Sequence, residues 1–557
     1  AGGLPPEASP VPKGPLRCHL LFSSPLCVEH AVVVRLPWKQ VPLDTAAAAD
    51  AEVQSWGLEF GGAFPTAVSR VLVGGRLAAW NSQQLHSQGM VRPGDVLHRL
   101  FARGVREDLA GRSPAVALHG LIAKTGCEAA VEVALVFHAL RELAPLRVED
   151  ELEEIRASGC EVEARAATAQ TMRGLIAASD CRALHLSLHT SVAQEHLLFL
   201  EDGQGKAHVV CASQLQNLLL PGQQQQSISL VFLNSCHSVA LGTHFVAAGV
   251  RHVVCVRDED KVRDESCRLF ARDFWSALRA GRSVRDAFEC GVAVLACSQE
   301  VHFRKDARSF VLLPEDCEHR EALAPAGGAP LAPPPLPPPG GPWGALAPAV
   351  EDFLGREVDV HRLLLHLRDR RFVEVRGEPG VGKSALLAEA GRFVLLRREA
   401  FEEVRFVCGG AHGELREECL RGFRCLQQRL ATAGRRRVLL LVDDPEAFAW
   451  APLQALLRFA GVRLVLAAGP ASAAAESDVS AGAEATRELA ARAAVAAGLK
   501  PVVFPLGPLE PLAQARLFLQ RVPRPLYRHE LEAESGALAP PGPQPLLAPP
   551  KGPAELL

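Results

Sequence analysis

The stretches ALHLSLHT (183–190) and SISLVFLNSCHS (227–238) decide the fold of the central part of the chain, because each is an apolar strand followed by a polar tip. The first stretch carries His189 at its end, and the second carries Cys236. In parallel α/β sheets the carboxyl ends of buried strands lie along one edge, where turns leave room for substrate. The two stretches therefore predict an imidazole and a thiol at one edge of a sheet.

A thiol with its ordinary pKa of about 8.5 is only partly ionised at neutral pH, so a nucleophilic cysteine needs a base within hydrogen-bond distance. His237 is adjacent to Cys236, but neighbouring side chains diverge. His185 lies four residues before His189, about 13 Å back at ~3.3 Å per strand residue. His189 is therefore the predicted base. The alternative for Cys236 is a small buried thiol that only caps a strand.

Strand-like and helix-like segments alternate between residues 115 and 317, starting with AVEVALVFHAL (130–140). This alternation predicts βαβ units and a mostly parallel sheet with helices on both faces. The segment VRDESCRLFARDFWSALRAG (262–281) gathers apolar residues on one helical face and ends in Gly281. It predicts an amphipathic helix packed on the sheet.

Residues 115–317 resemble a CHAT domain, a caspase-related family in the separase-like branch of cysteine peptidases. The likeness includes LLFLEDGQGKAHVVCASQLQNLL (197–219), similar to the hairpin that follows the family's histidine, and the segment 241–295 that follows the cysteine. It implies that His189 is the general base and Cys236 the nucleophile of peptide-bond cleavage, with a protein or peptide as substrate.

Family members usually carry glycine after this histidine, whereas this chain carries Thr190. Threonine keeps the backbone N–H that helps to hold the oxyanion but has less freedom to aim it. A catalytically inactive scaffold that binds proteins therefore stays open beside the active peptidase. Two interpretations of Asp264 also stay open: it helps to shape the substrate pocket, or it is simply a carboxylate in the first turn of a helix.

The stretch RFVEVRGEPGVGKSALLA (371–388) predicts strand, glycine-rich loop and helix in the order that the GxxxxGK[ST] motif requires. Its glycines let backbone amides converge on phosphates, its lysine neutralises them, and its serine ligates Mg²⁺. Farther on, RRRVLLLVDDPEA (435–447) predicts a strand ending in two acids, the first holding Mg²⁺ through water and the second orienting a water. The predicted site for ATP or ADP with Mg²⁺ consists of Gly377, Gly380, Gly382, Lys383, Ser384, Asp443 and Asp444.

The flanks FLGREVDVHRLLLHL (353–367) and VVFPLGPLEPLAQARLFLQRV (502–522) resemble those of STAND-class signalling ATPases, which include NB-ARC switches. The resemblance implies that Gly355 and Arg356 lie near the adenine, and that exchange of ADP for ATP opens an autoinhibited monomer for homo-oligomer assembly.

Many relatives carry a γ-phosphate-sensing arginine where this chain has Gly469 and Pro470. The chain also ends soon after residue 527, before the parts that usually follow, so slow or absent hydrolysis and a fragment are expected. A metabolic P-loop kinase is a distant alternative.

Residues 56–100 alternate apolar and polar residues and contain VRPGD (91–95) before an apolar strand, and they resemble a PDZ domain. The resemblance implies that a loop presents backbone amides to the terminal carboxylate of a peptide ligand, which then adds a strand to the sheet. The loop residues are Gly57, Leu58, Glu59 and Phe60. A small glycine-rich β-domain without peptide capture is the alternative.

Two proline-rich stretches, residues 322–350 and 537–557, predict a semi-rigid linker and a tail. A polyproline ligand for an SH3-type partner is the alternative to a plain spacer. The predicted fold class is multidomain α/β: a small β-rich PDZ-like domain (15–110), a caspase-like α/β sandwich (115–317) and a P-loop NTPase α/β domain (350–527).

The composition excludes two classes of partner. A net charge of −3 provides no basic surface for nucleic acid, and no run of about 20 apolar residues is present to cross a membrane. The fifteen cysteines occur singly rather than in paired spacing, which favours reduced thiols. A cytoplasmic location is therefore expected.

Overall fold

The computed structural model describes residues 17–37, 46–60, 67–72, 76–84, 90–92, 95–109, 112–125, 132–143, 145–177, 181–192, 195–219, 228–257, 262–325, 353–397, 400–408, 414–433, 436–443, 450–468, 499 and 502–522. The chain forms two compact units. The first contains the residues up to Leu26 and from Ala144 onward, and the second contains Cys27–Leu143. Within the described ranges, no helix combines the length and apolarity needed to cross a membrane.

The elements before residue 144 are, in chain order, β1 (Arg17–Ser23), β2 (Cys27–Pro37), α1 (Ala46–Ser55), β3 (Leu58–Phe60), β4 (Val68–Val71), α2 (Arg76–Ser82), β5 (Val96–Ala102), β6 (Val105–Asp108), α3 (Pro114–Thr125) and β7 (Glu132–Glu142). Those between residues 145 and 325 are α4 (Val148–Ala157), β8 (Glu161–Ala166), α5 (Ala169–Ala177), β9 (Ala183–Leu188), β10 (Thr190–Val192), β11 (His196–Glu201), β12 (Ala207–Cys211), α6 (Ala212–Leu219), β13 (Leu230–Asn234), α7 (Val239–Ala247), β14 (His252–Val256), α8 (Asp264–Arg279), α9 (Val284–Ala296), α10 (Val301–Asp306) and β15 (Phe310–Leu313). Those after residue 352 are α11 (Glu357–Asp369), β16 (Phe372–Arg376), α12 (Lys383–Arg397), β17 (Glu403–Cys408), α13 (Glu414–Ala433), β18 (Val438–Asp443), α14 (Trp450–Leu457), β19 (Val462–Ala468), β20 (Val502–Pro505) and α15 (Pro511–Arg521).

The six-stranded sheet of the first unit has the order β15-β14-β13-β9-β1-β8, with every pair parallel except β14 and β15. Strands β9 and β13 are buried at every position, because both faces of the sheet are covered. Leu230 and Phe232 pack towards α4, α8 and α9, whereas Val231 and Leu233 pack towards α5, α6 and α7. The predicted parallel sheet with helices on both faces is therefore present.

Two segments lie elsewhere than the sequence predicted. The apolar stretch 130–140 was expected in the parallel sheet, but its strand β7 pairs antiparallel with β2 along eleven positions in the second unit. The place beside β9 is taken instead by β1, whose residues after Arg17 are all buried between β8 and β9. The predicted boundaries at residues 15–110 and 115 thus differ from the observed grouping.

The predicted linker also begins too early. Ala322 bridges to Ser283, and Leu323 is fully buried in the core beneath α8 and α9. Folded structure therefore continues at least to residue 325. The rest of the stretch 322–350 and the tail 537–557 lie outside the described residues.

A second sheet in the first unit has five parallel strands in the order β17-β18-β19-β16-β20. Helices α11 and α12 cover one face and α13 and α14 the other. The phosphate-loop stretch connects β16 to α12, in agreement with the predicted strand, loop and helix.

The second unit holds an antiparallel sheet in the order β2-β7-β5-β6 and a separate ribbon of β3 and β4. Asp95, the last residue of VRPGD, is buried and accepts two hydrogen bonds of 2.8 Å from the guanidinium of Arg141. This pair fixes the start of β5 against β7.

Candidate functional site

The carboxyl ends of β9 and β13 lie side by side. In their parallel register Asn234 pairs with Ser187, so His189 and Cys236, each two residues farther on, leave the sheet at the same level. Neighbouring strands are about 4.8 Å apart. The Thr190 hydroxyl donates to the carbonyl oxygen of Cys236, and the Ser235 hydroxyl donates to Thr190 Oγ1 at 2.7 Å. The two segments that carry the imidazole and the thiol are therefore in direct contact.

The turn that carries the thiol, residues 235–238, is held in a sharp conformation. His237 has a φ of 51°, in the left-handed region that costs a non-glycine residue about 1–2 kcal/mol. Buried Ser238 offsets this strain, because its hydroxyl donates to Ser235 O at 2.8 Å and accepts from Val256 N at 2.9 Å. We call residues 235–238 the cysteine turn. Its geometry lifts Cys236 out of the buried strand to a partly exposed position.

The thiol of Cys236 faces the start of α8. Its Sγ donates to the carbonyl oxygen of Val262 at 3.5 Å, and Asp264 follows two residues later in the first turn of the helix. Burial, then the nearby Cys236 thiol, raises the pKa of Cys267 well above its ordinary value. Cys267 is thus an inert core thiol, whereas Cys236 is the thiol at the sheet edge.

His185, the other histidine on β9, belongs to a buried polar network. Its Nδ1 accepts from the indole N–H of Trp275 at 3.0 Å, and because an indole only donates, the ring proton lies on Nε2, 2.8 Å from Glu151 Oε1. Burial alone would raise the pKa of Glu151, but the nearby His185 and hydrogen bonds from His185, Ser187 and Asn234 hold it below its ordinary value. Both His185 nitrogens are engaged and the ring is fully buried, so it is not available to substrate.

Asp264 gives the site a pH dependence. Burial, followed by repulsion from Glu151, raises the pKa of Asp264 from 3.8 to about 6, even with Arg268 Nε 3.4 Å from its carboxylate. Between these two values the folded chain binds more protons here than the unfolded chain, so stability falls as the pH rises through the window.

We therefore expect Asp264→Asn to be more stable than the wild type at about pH 7.5, with the difference shrinking at about pH 4.5, where the wild-type carboxyl is largely protonated. Thermal unfolding at both pH values measures this effect. An equal difference in stability between Asp264→Asn and the wild type at the two pH values would contradict the prediction.

The phosphate loop has the backbone that an anion cradle requires. Gly380 and Gly382 have φ values of 78° and 98°, which only glycine adopts readily, with open space beside them. A Cβ at Gly377 would lie 2.5 Å from Leu506 O. The Lys383 ammonium donates to the carbonyl oxygens of Gly377 and Glu378 at 2.8 and 3.0 Å, so it already lies over the loop. Ser384 follows in the first turn of α12.

Arg356 is buried against the same loop. Its Nη2 donates to Val381 O at 2.9 Å and to Gly507 O at 2.6 Å, and its Nη1 donates to Asp359 at 2.9 Å. The flanking segments on both sides are thus joined to the phosphate loop through one guanidinium.

Of the two acidic residues predicted for the nucleotide site, Asp443 lies within the described residues. Asp443 is the last residue of β18, and one strand, β19, separates β18 from the strand that precedes the loop. Asp444 lies outside the described residues, as do Gly469 and Pro470. Among the described residues no cluster of three His, Cys, Asp or Glu side chains is arranged to hold a metal ion by itself.

The predicted peptide-binding loop has a different structure. Leu58, Glu59 and Phe60 form strand β3, which pairs with β4, and Leu58 is buried. Gly57 precedes them with a φ of 72° and donates to Gln54 O at 3.0 Å. The positive φ agrees with a turn at the glycine, but the other three residues belong to a ribbon rather than to a loop.

Sequence reasoning missed the side-chain roles of Thr190 and Ser238. Thr190 was noted only as a departure from glycine, because a pattern of residues does not reveal which carbonyl a hydroxyl will reach. Ser238 carried a weak signal, since serine commonly precedes a helix and α7 starts at Val239. Its observed bonds are nevertheless to Ser235 and Val256.

A family model matches the central part of the chain. Residues 105–306 match the CHAT domain family. The matched range starts in β6, ends with α10 and includes both His189 and Cys236. A CHAT domain indicates a caspase-like peptidase or a protein-interaction module.

No curated protein matches the chain. A solved structure described as "Structure of C. elegans PCH-2" is similar at 16% identity, covering 27% of this chain and 38% of its own, with a TM-score of 0.19. The chain therefore spans well under half of that structure, and the likeness is too weak to relate the folds.

Proposed function

We propose that the protein is a nucleotide-regulated, caspase-like cysteine endopeptidase that acts in intracellular signalling. The observation that carries the proposal is the register of β9 and β13, which brings His189 and Cys236 to the same edge of one sheet within the range that matches the CHAT domain. The buried network around His185 supports His189 rather than His185 as the base, because His185 is fully buried and both of its ring nitrogens are bonded.

In the proposed reaction His189 accepts the thiol proton while Cys236 Sγ attacks the carbonyl carbon of a peptide bond. The tetrahedral oxyanion is held by backbone N–H groups, of which that of Thr190 is one candidate. The C–N bond then breaks as the imidazolium returns its proton to the leaving amine. Water, deprotonated by the same imidazole, hydrolyses the thioester and restores the thiol. The cysteine turn fixes the nucleophile, and its partial exposure admits substrate.

Asp264 supports a preference for basic substrate residues. Its carboxylate lies on the segment that accepts the Cys236 thiol hydrogen bond at Val262, and it is about a third exposed, at 34%. An ionised carboxylate there attracts lysine or arginine side chains. The preference should therefore weaken as the pH falls below about 6.

Thr190 contributes to catalysis by holding the cysteine turn. We expect Thr190→Val, which keeps the shape and removes the hydroxyl, to lower kcat/KM by about fivefold to thirtyfold, since it removes two hydrogen bonds worth roughly 1 kcal/mol each. Thr190→Ser restores a hydroxyl and should recover most of the rate. Steady-state cleavage of one peptide by the three proteins measures the effect. Equal rates for wild type and Thr190→Val would show that the contact does not position Cys236.

The phosphate loop supports nucleotide binding. The glycine cradle, the Lys383 ammonium over it and the helix that starts at Lys383 together fit a polyphosphate. Gly377, Gly380, Gly382 and Lys383 would hold the phosphates, Ser384 and Asp443 would hold Mg²⁺, and Arg356 would brace the loop. Bound ATP would supply a γ-phosphate whose presence or absence distinguishes two states of the switch.

The remaining parts of the proposal concern the binding partners of the protein and its location in the cell. We propose a STAND-like switch whose nucleotide state controls homo-oligomer assembly, a PDZ-like module in the second unit that selects a peptide ligand, and a cytoplasmic location. The reduced thiols expected from the sequence support that location.

An electrophilic peptide that carries a basic residue tests the peptidase. We expect it to label Cys236 selectively at neutral pH, and we expect a peptide library to be cleaved after basic residues at a rate that depends on ATP and Mg²⁺. Mass spectrometry locates the labelled cysteine and the cleaved bonds.

The second candidate function is an inactive, nucleotide-switched scaffold that uses the CHAT domain for protein interaction, and Thr190 in place of glycine favours it. Absence of labelling and of cleavage, with and without nucleotide, would establish the scaffold instead.

A further inference from the structure

The helix that follows the phosphate loop also contacts the hairpin that follows the candidate base. Helix α12 starts at Lys383 and ends at Arg397, which makes a two-pronged ion pair with Glu201. Arg397 Nε and Nη2 each lie 2.6 Å from a Glu201 oxygen. The side chains are 7% and 0% exposed. A buried, two-pronged contact of this kind requires a fixed position of both backbones, because either charge left alone would be costly.

Further contacts fix the same junction. Arg397 Nη2 donates to Ser24 O at 3.1 Å, while Ser24 N donates to Glu201 Oε1 at 2.8 Å. Next to them Gly205 lies so close to α12 that a Cβ there would be 3.2 Å from Phe393. From the neighbouring helix, His361 Nδ1 is 2.7 Å from Gln204 O. The end of α12 is thus attached closely to the segment around Glu201.

The packing of α12 is less close beside this junction. A cavity of about 780 Å³ lies between α12 and the α4 and β8 segments, lined among others by Leu152, Val162, Arg392 and Arg397 itself. Arg392 reaches Glu149 only at 3.9 Å, and that carboxylate is 56% exposed. Of the two ion pairs that α12 makes with the segments before residue 202, the one at Arg397 is therefore the shorter and the more buried.

Glu201 is connected through short strands to the segments that carry His189 and Cys236. It ends β11, which pairs antiparallel with β10, and we call β10 and β11 the histidine hairpin. Thr190 pairs with Leu198, and Phe199 N donates to His189 O at 3.0 Å. Thr190 in turn donates to Cys236 O. Glu201 is thus connected through one strand pair to both His189 and the cysteine turn.

We infer that the Arg397–Glu201 ion pair couples the phosphate loop to the histidine hairpin, so that nucleotide binding at the start of α12 changes the hairpin and with it the alignment of His189 and Cys236. This inference rests on the proposed nucleotide site and names the contact by which the proposed regulation reaches the peptidase. By linkage, the same contact makes nucleotide affinity depend on the hairpin.

Hydrogen exchange of the full-length chain tests the coupling without relying on peptidase activity. We expect saturating ATP with Mg²⁺ to slow amide exchange in β10 and β11 by about fivefold or more in the wild type. Arg397→Met should abolish most of this change. Arg397→Lys keeps the charge and is the safer variant for folding, yet it loses the two-pronged geometry and should also reduce the change. Arg392→Met removes the same charge from the same helix and should leave the change intact.

The outcomes are separable from the peptidase proposal. ATP binding without any change in the hairpin, or an unchanged response in both Arg397 variants, overturns the coupling while Cys236-dependent cleavage can still be observed. Absence of ATP binding overturns the coupling together with the nucleotide site. Loss of cleavage with an intact exchange response leaves the coupling in place and contradicts only the peptidase.

Discussion

Cys236→Ala is expected to abolish peptide cleavage, lowering kcat by roughly 10⁴-fold or more, because covalent catalysis loses its nucleophile. The fold should survive, since Cys236 lies partly exposed and its turn is held by the hydroxyls of Thr190 and Ser238, while the thiol makes only a long contact of 3.5 Å with Val262 O. Cleavage of the best library peptide, measured at saturating concentration, gives the change in kcat.

His189→Ala should have a similar effect, and the double variant should be no slower than either single one. Residues that act as a unit in one step are not additive, because removing either member already removes the step. Cys211→Ala is the matched control, since Cys211 is also a partly exposed free thiol but lies on β12. Cleavage that persists in Cys236→Ala at the wild-type rate would remove this residue from the mechanism.

The sheet edge that carries His189 and Cys236 was predictable, because it depends on a pattern of apolar and polar residues within short stretches of sequence. Buried apolar strands that end in a polar tip are visible in ALHLSLHT and SISLVFLNSCHS, and the spacing of 47 residues between His189 and Cys236 equals the offset between Ser187 and Asn234 in the observed register. Other registers are disfavoured, since a slip would draw polar tip residues into the buried sheet. The phosphate loop was predictable for a similar reason, because its glycines are required by backbone conformation.

The place of β1 could not be predicted in the same way. RCHLLFS (17–23) has the composition of a buried strand, but the sequence alone does not specify which sheet it joins. It pairs with β8 and β9, more than 130 residues away in sequence, whereas β7, which shares the apolar pattern, pairs with β2. Apolar pattern identifies strands, and only the complete packing identifies their neighbours.

The contact between Arg397 and Glu201 could not be predicted from the sequence either. In the sequence both are charged residues, one near the end of a predicted helix and one at the end of a predicted strand. Charged side chains in such positions are usually exposed to solvent. Their burial arises because the end of α12 packs against the end of β11 and the backbone of Ser24, which are distant from it in sequence. Long-range ion pairs of this kind follow from tertiary structure and leave no local pattern.

Arg397→Met is expected to lower the free energy of unfolding of the first unit by about 3–5 kcal/mol, because it leaves the Glu201 carboxylate buried without its cation. Glu201 is fully buried, and its remaining partner is the backbone N–H of Ser24. Glu201→Gln combined with Arg397→Met removes both charges and should recover part of the loss. Urea unfolding followed by circular dichroism provides the comparison.

The surface pair between Arg320 and Glu318 is the appropriate control, since its side chains are 80% and 73% exposed. Exposed ion pairs contribute about 0–1 kcal/mol, because water solvates each charge nearly as well as its partner does. Arg320→Met should therefore leave the unfolding midpoint almost unchanged. If Arg397→Met has an equally small effect, the ion pair is not the rigid attachment that coupling between the phosphate loop and the histidine hairpin requires. The two parts of the first unit are then joined mainly by the apolar cluster that contains Leu26 and Phe393.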